Sequence, residues 1–583
     1  MQSLWTLRAP DPASARLAAL TEVPPLIASL LLTRGAATPE AVGEFLRPRV
    51  EALHDPLLLK GAAEAADVLV AAARAGRRIV VFGDYDVDGV TSVAQLRAAL
   101  LRAGADAVAF LPHRLRDGYG LRPDTVRRVL EDLRPSVLVT VDCGITAIDG
   151  VARARAAGVD VVVTDHHLVP DELPAGAIVV NPRQPGDEYP EKELAACGIA
   201  MKLAQAVARR AGIRLSQEAL LRAAALGTIA DLVPLRGENR TIAALGLAAL
   251  GNARAPGLRA LLAECGVVGR APTSEDVAFR IAPRLNAAGR LDTAELALSL
   301  FEERDPARGA QIARDLSARN TERQTIERRV TAAARERIAR ECDLDRDSVV
   351  VLAAEGWHRG VLGIAASRLA REYHRPVLLF GLEDGRARGS GRSIPGVSLH
   401  GVLNEIDGIF DEFGGHEQAV GASLPEARFA ELREAALALF AHRVPAALLV
   451  PVEESEAEVA PEDVTRELLG WLERLEPHGM GNPRPVFSSR VRPAVSFRPL
   501  GSAGVRGRLR RSNGGPDLEC LAWKSGCLAK VVRDQDLDVH FRIQRSRDGS
   551  PEAEIVAARI PAESLFLGSD AAPREDLVEA ALS

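Results

Sequence analysis

The chain has 583 residues, 47% hydrophobic and 26% charged. This is an ordinary globular balance that excludes a fibrous or wholly disordered class and leaves apolar material for three or four domains. No apolar run approaches the roughly 18 residues that span a bilayer; Pro24 to Thr33 is too short, and Met1-Gln2-Ser3-Leu4-Trp5 lacks the pattern of a secretory leader, so a cytoplasmic protein with no membrane partner is expected. The net charge of -6 does not advertise a nucleic-acid binder, but it leaves room for local basic patches. Six cysteines are scattered at positions 143, 197, 265, 342, 520 and 527 without a Cys-x-x-Cys pair, which argues against a disulfide framework or a structural zinc. Nearly every basic residue is arginine. Arginine suits bidentate phosphate contacts, although GC-rich coding produces the same bias.

Residues 1–60 read as short amphipathic helices between Pro and Gly breaks, an N-terminal cap. A domain over 61–303 opens with the apolar strand Ile79 to Phe82, followed by a helix over Thr91 to Ala103. Ala107 to Leu111, Val137 to Val141, Val159 to Thr164 and Ile178 to Val180 are further predicted strands. Pro123 to Leu133 and Ala147 to Ala157 are helices between them. Such alternation predicts an α/β fold with a parallel sheet covered on both faces. Residues 195–300 turn helical. A connecting helix fills 304–342, with apolar residues too sparse for a coiled coil. A second α/β domain over 343–449 opens at Ser348 to Leu352. Strands such as Leu537 to Ile543 and Glu552 to Ala558 predict a small β-barrel domain over 450–562. Residues 563–583 read as a frayed acidic tail.

The acids fall at strand ends. Asp84, Asp86 and Asp88 follow the first strand, Asp142 the third, and Asp165-His166-His167 the fourth. Sites in open parallel sheets form beyond the carboxyl ends of the strands, so three strands deliver carboxylates and imidazoles to one edge. Clustered carboxylates with histidines favour Mn²⁺ or Mg²⁺, and two such ions would suit phosphoryl displacement. Asp142 is the natural bridging candidate. An EF-hand calcium loop is the rival for Asp84-x-Asp86-x-Asp88-Gly89, but its twelfth position holds Gln95 where Glu is required,. A plain acidic turn is the other alternative.

Asp165-His166-His167 resembles the signature of the DHH phosphoesterase superfamily. Gly83-Asp84-Tyr85-Asp86-Val87-Asp88-Gly89, Val141-Asp142-Cys143-Gly144 and Ala225-Leu226-Gly227-Thr228-Ile229-Ala230-Asp231 resemble motifs of its RecJ branch. Leu111-Pro112-His113-Arg114, Asp117-Gly118-Tyr119-Gly120-Leu121, Arg280 to Arg290 and Asn320-Thr321-Glu322-Arg323-Gln324 narrow the resemblance to that branch. It implies that Asp84, Asp86, Asp88, Asp142, His166 and Asp231 surround two Mn²⁺ or Mg²⁺ ions. Asp86 and Asp88 align best with the superfamily's Asp-x-Asp, and Asp84 is the less certain contributor. His167 would contact the scissile phosphate or move a proton. The implied activity is 5′-to-3′ hydrolysis of single-stranded DNA to mononucleotides, in repair and recombination. A single-strand-binding protein and a helicase are the implied partners, and a monomer is expected.

Gly356-Trp357-His358-Arg359-Gly360 resembles the opening of a DHH-associated domain. There, Arg388-Gly389-Ser390-Gly391-Arg392 reads as a phosphate-holding loop, or else a tight hairpin with solvated arginines. Gly414-Gly415-His416 is either a substrate contact or a turn. Arg114 and Arg280 are candidates for a terminal phosphate, or surface ion pairs. Leu475 to Pro483 resembles the entry to an oligonucleotide-binding fold. There Arg506, Arg508, Arg510 and Arg511 would line a groove, with Trp523 and Phe541 stacking on bases unless they are barrel core. Two rivals remain: a DHH phosphodiesterase for short oligonucleotides or dinucleotides, and a binding protein with a dead site.

Overall fold

The structure, a computed structural model, describes residues 3–561 except 115, 119, 502–503, 524–527, 529–530, 532 and 534. The predicted tail over 563–583 therefore lies outside the described residues. The chain forms two compact units, Pro48–Leu449 and Met1–Arg47 with Val450–Ser583. Among the described residues no single helix is long and apolar enough to cross a membrane. Strands are numbered in chain order, β1 being Leu4–Leu7.

The Pro48–Leu449 unit begins with a parallel sheet of β2 (Arg78–Gly83), β3 (Asp106–Phe110), β4 (Val137–Val141), β5 (Asp160–Thr164) and β6 (Ala177–Val180), in the order β3-β2-β4-β5-β6. Every residue of β4 is buried, as expected for a central strand of Val and Leu with helices on both faces. Ile79, Val81 and Val139 feed one core, while Val80, Phe82, Leu138 and Val163 feed the other. The strand order reverses beside β2, which opens a crevice at the ends of β2 and β4. Helices Ala196–Ala211, Gln217–Ala230 and Ala282–Leu291 belong to the helical stretch that follows.

Helix Pro306–Glu341 starts where Asp305 caps the Arg308 N–H, with Pro306 at the first helical position,. At 1.5 Å per residue it is about 54 Å long. Ala313 and Leu316 pack into the first core, and Val330, Ala334 and Ile338 into the core of a second sheet. That sheet holds β7 (Val350–Glu355), β8 (Val377–Glu383), β9 (Arg386–Arg392), β10 (Glu412–His416) and β11 (Ala419–Pro425), ordered β10-β11-β9-β8-β7. Only β7 and β8 run parallel.

The other unit corrects two expectations. The N-terminal cap is not a separate body over 1–60. β1 pairs in parallel with β12 (Val452–Ser455), and Leu17, Ile27, Leu30, Leu31 and Phe45 share one core with Val464, Leu472, Phe487 and Phe541. These short helices cannot bury their apolar stripes alone and find their cover some 400 residues away in sequence. Nor do the strands close into a barrel. β13 (Ala457–Glu458), β14 (Phe487–Val491), β15 (Pro493–Leu500), β16 (Gly504–Leu509), β17 (Leu518–Trp523), β18 (Leu537–Arg545) and β19 (Pro551–Arg559) form one open sheet, ordered β13-β14-β18-β19-β17-β16-β15. Among the described residues β13 pairs only with β14 and β15 only with β16, so the two edges do not meet.

Arg34 ties this unit together. Its side chain is 1% exposed and pairs with Glu456 at 2.8 Å. It also donates to Asn482 Oδ1 at 2.8 Å and to the carbonyls of Leu30 and Pro483. Arg34→Ala would leave Glu456 buried beside unfilled acceptors, at a cost of about 3–5 kcal/mol. Chemical denaturation of the full chain should show that loss; a change below about 1 kcal/mol would show the pair to be dispensable.

Candidate active site

The acidic run is a tight turn into a helix. A Cβ on Gly83 would fall 2.3 Å from Val93, and one on Gly89 would fall 2.5 Å from the Asp84 carbonyl oxygen. Asp86 caps helix Val87–Arg102, accepting the Gly89 N–H at 3.1 Å. The Val87 N–H donates to Asn286 Oδ1 at 3.1 Å. Gly289 lets helix Ala282–Leu291 press on this turn, since its Cβ would sit 2.4 Å from the Tyr85 oxygen. Asp88 is buried in the first helical turn. It accepts the N–H groups of Ala196 at 3.0 Å and Cys197 at 2.8 Å, where helix Ala196–Ala211 presents its positive end. Gln95, which argued against a calcium loop, is buried and donates to the Thr91 and Cys197 carbonyls.

Asp142 leaves β4 with φ at +62°, a left-handed conformation that a non-glycine residue adopts at a cost. Asp165 leaves β5 and serves its own loop. It accepts the N–H groups of Ile145, His166 and His167 at 2.8–3.1 Å and contacts His167 Nδ1 at 2.7 Å. It is therefore a positioning residue. His166 Nε2 lies 3.3 Å from Asp142 and 3.6 Å from Asp231. Asp231 follows helix Gln217–Ala230, where a carboxylate meets the negative end of the dipole.

The ligand atoms form three overlapping groups, each within 4.8 Å: Asp84, Asp86 and Asp142; Asp142, His166 and His167; Asp88, His166 and Asp231. Asp142 and His166 each belong to two of them. Asp84, the least certain acid from sequence, stands in the first group, and its buried Oδ1 lacks a hydrogen-bond partner, as does His166 Nε2. Burial, and then the charge of Asp86, holds the Asp84 carboxyl well above its usual range. Burial and the neighbouring carboxylates do the same to Asp142, push Asp231 to about 9 and push Asp88 to about 6. Burial, then the charge of His167, lowers His166 to about 3. For His167 burial opposes protonation, but the Asp165 hydrogen bond prevails and raises it. Acids that resist ionising together, beside neutral imidazole, fit hard divalent cations with oxygen and nitrogen donors.

Cations gather opposite this cluster. The Arg114 guanidinium lies 5.1 Å over the Tyr85 ring. Arg290 is pushed down to about 10 by burial and by Arg114, Arg323 and Arg392, with Asp86 opposing. Arg392 is lowered by burial and by Arg114. In sequence Arg290 is one of three arginines from Arg280 to Arg290; its one-turn spacing from Asn286 is the signal that marks it,. Arg280 stands elsewhere, on the π-turn Val277–Ile281, 53% exposed and paired with Asp276 at 3.4 Å.

The expected phosphate loop is a strand. Arg388, Gly389, Ser390, Gly391 and Arg392 lie on β9, paired on both sides by β8 and β11, so the sheet takes up the backbone N–H groups. Gly389 is bare because the Phe380 ring lies 2.4 Å from where its Cβ would be, and Gly391 because Leu378, Val420 and Leu399 crowd it. Gly415, at φ +143°, has a Cβ position 2.2 Å from the Ala419 oxygen, so the hairpin of β10 and β11 needs it. His416 is lowered by burial and by the charges of His167 and Arg392. Tyr119 lies outside the described residues.

In the other unit, Arg506 and Arg508 project from β16 but have acidic partners, Glu552 at 3.0 Å and Glu519 at 3.6 Å. The Arg510 N–H donates to Arg492, and Arg511 donates to the Val464 carbonyl. Trp523 is 55% exposed opposite Gly504. Phe541 is core, its ring 6.1 Å from that of Phe487.

Family models match in order along the chain: the DHH family N-terminal domain over 78–228, the DHHA1 domain over 346–442 and the RecJ OB domain over 455–548. The single-stranded-DNA-specific exonuclease RecJ of Bacillus subtilis is 36% identical over 91% of this chain and 66% of its own length. Its Escherichia coli counterpart is 33% identical over 90% and 95%, and that of Thermus thermophilus 39% identical over 82% and 69%. Crystal structures of Thermus thermophilus RecJ with Mn²⁺ and with Mg²⁺ superpose with TM-scores of 0.81 and 0.76, at 32% and 31% identity. They cover 96% of this chain and 80% and 78% of theirs. The chain belongs to the RecJ family of DHH phosphoesterases.

Proposed function

We propose that this protein is a metal-dependent exonuclease that hydrolyses single-stranded DNA from the 5′ end and releases 5′-mononucleotides in repair and recombination. The observation that carries the reading is the meeting of acids from the ends of β2 and β4, the histidines after β5 and Asp231 with Arg114, Arg290 and Arg392. Asp84, Asp86, Asp88, Asp142, His166 and Asp231 would hold two ions, Mn²⁺ or Mg²⁺. When bound, the ions supply an activated water and charge stabilisation at the leaving oxygen.

The chain's own groups do the rest. Asp165 fixes His167 through Nδ1, so the imidazole is oriented for contact with the scissile phosphate or for proton transfer. Arg114 and Arg392 disfavour the charge on Arg290, with Asp86 opposing, and Arg114 disfavours the charge on Arg392. A terminal phosphate would relieve that repulsion, with Arg290 in the place first given to Arg280. Arg388, Ser390 and His416 would line the same cleft. The open sheet, with Arg506, Arg508, Arg510 and Trp523, would also contact single-stranded DNA. A single-strand-binding protein and a helicase are the proposed partners of a monomer. The RecJ OB match favours long strands over dinucleotides as substrates.

With Mn²⁺, a strand labelled at its 5′ end should release labelled mononucleotide first; equal digestion of a blunt duplex would overturn the reading. Asp142→Ala should lower turnover by about a thousandfold or more, as loss of a metal ligand requires, and near-normal turnover would remove Asp142 from the centre. Arg290→Ala should lower kcat/KM for 5′-phosphorylated relative to 5′-hydroxyl strands by about 10- to 100-fold, the worth of a charged hydrogen bond. Arg280→Ala should leave that ratio unchanged.

Metal removal gives an independent reading. Asp88 and Asp231 hold protons more tightly folded than at their unfolded value of 3.8. The metal-free protein should therefore lose stability as pH rises from about 4 through 9. Mn²⁺ at a hundred times its Kd at neutral pH should restore about 2.7 kcal/mol, and the same Mn²⁺ concentration should restore more at higher pH. A melting shift independent of pH would contradict the carboxylate site.

A further inference from the structure

The loop between β3 and helix Pro123–Leu133 carries Arg114 to the acids, and it has no apolar core of its own. Leu111 and Leu121 are buried at its two ends. Of the described residues from 113 to 120 only Asp117 is buried, its side chain 3% exposed. A loop whose interior is a carboxylate is shaped by hydrogen bonds. The Asp117 N–H donates to the His113 carbonyl at 2.7 Å, and the Asp117 carboxylate accepts the His113 N–H at 2.8 Å. These two bonds close a turn with Arg114 inside it.

The same carboxylate ties the turn to the sheet. It accepts from Arg116 Nε at 3.0 Å and from Arg128 Nη1. Arg116 is mostly exposed, and a pair of that kind contributes little,. Arg128 belongs to the helix, and its guanidinium lies 5.7 Å over the Phe110 ring, which stacks on Phe82 of β2 at 5.3 Å. Burial opposes ionisation of Asp117, but its contacts with Arg116, His113 and Arg128 prevail and hold the carboxyl at about 2. None of the three ligand groups of the metal cluster includes it. Arg114 has nothing of its own to aim it. Its guanidinium forms no hydrogen bond or ion pair with the described residues and lies over the Tyr85 ring, a contact without the directionality of a hydrogen bond. Yet its charge acts on both Arg290 and Arg392. The backbone of the turn therefore sets its direction.

We propose that Asp117 is the positioning residue for Arg114: it closes the 113–117 turn, ties it to Arg128 and so aims the Arg114 guanidinium at the terminal phosphate. The inference rests on the nuclease reading above. The test uses the full chain and its Asp117→Ala, Asp117→Asn and Arg114→Ala variants. Single strands with a 5′-phosphate or a 5′-hydroxyl, labelled with fluorescein at the 3′ end, report binding by anisotropy in EDTA. The measured quantity is the ratio of the two Kd values on one preparation. A loss of folded protein weakens both affinities alike and leaves that ratio unmoved. Asp117→Ala should lower the preference for phosphate by about tenfold, the worth of a charged hydrogen bond, to the level of Arg114→Ala. Asp117→Asn keeps an acceptor for the His113 N–H but loses the charge that holds Arg128, and should fall between. In the Arg114→Ala background Asp117→Ala should change the ratio by less than about twofold, because the two residues act through one contact. Arg114→Ala losing the preference while both Asp117 variants keep it, or losses that add in the double variant, would overturn the positioning role and leave the nuclease reading in place. Preferential binding of the phosphorylated strand without cutting in Mn²⁺ would sink the nuclease reading alone.

Discussion

Mutual repulsion among buried carboxylates is the constraint on which the rest of this structure turns. Asp84, Asp88, Asp142 and Asp231 all resist ionisation, and burial is the first cause for each. A fold that only needed stability would not gather them. The scaffold holds them by local devices. Two N–H groups at the start of a helix anchor Asp88. A left-handed backbone aims Asp142. Gly227 leaves the room that Asp88 needs, since its Cβ would lie 2.6 Å from the Asp88 carboxylate. Strain and repulsion are stored at one place, and divalent charge is what would release them.

The second constraint is the spacing of the two sheets. The connecting helix belongs to both cores, with Ala313 and Leu316 in one and Val330, Ala334 and Ile338 in the other. Between these lies a buried polar network. Arg323 donates to Glu327 and Asn320, each at 2.9 Å, and Glu327 also takes Arg368 from helix Arg359–Tyr373 at 2.8 Å. Gly360, at the start of that helix, sits against the Arg290 carbonyl, where a Cβ would lie 2.3 Å away. The position of β9 and its Arg392 relative to the first sheet is thus set by packing and paired charge along this helix.

Much of this was legible in the sequence because the signals are local. Apolar runs of Val, Ile and Leu gave the strands of the first sheet, and acids directly after such runs placed the cluster. The errors have one physical origin. Arg388-Gly389-Ser390-Gly391-Arg392 reads as a loop because two glycines break local strand preference, yet Phe380 and Leu378 pack on the bare Cα atoms and make it a strand. Arg280 and Arg290 sit in one motif, and only the turn of the helix decides which meets Arg114. The pairing of β1 with β12 has no local signature at all.

The distribution of charge also bears on why a nuclease of this form would act at a strand end. Arg290 has Arg114, Arg323 and Arg392 acting on it alongside burial, with Asp86 opposing them. An internal phosphodiester carries one negative charge and must leave the pocket on both sides. A terminal phosphate carries nearly two and leaves on one. On the proposed reading, the three guanidiniums, which stay charged even when desolvated, would discriminate between these by charge and by room. On the proposed reading, end recognition therefore needs no separate device. It follows from burying the arginines next to the acids, because the group that best satisfies the arginines fixes the distance from the chain end to the ester lying over Asp142 and His166.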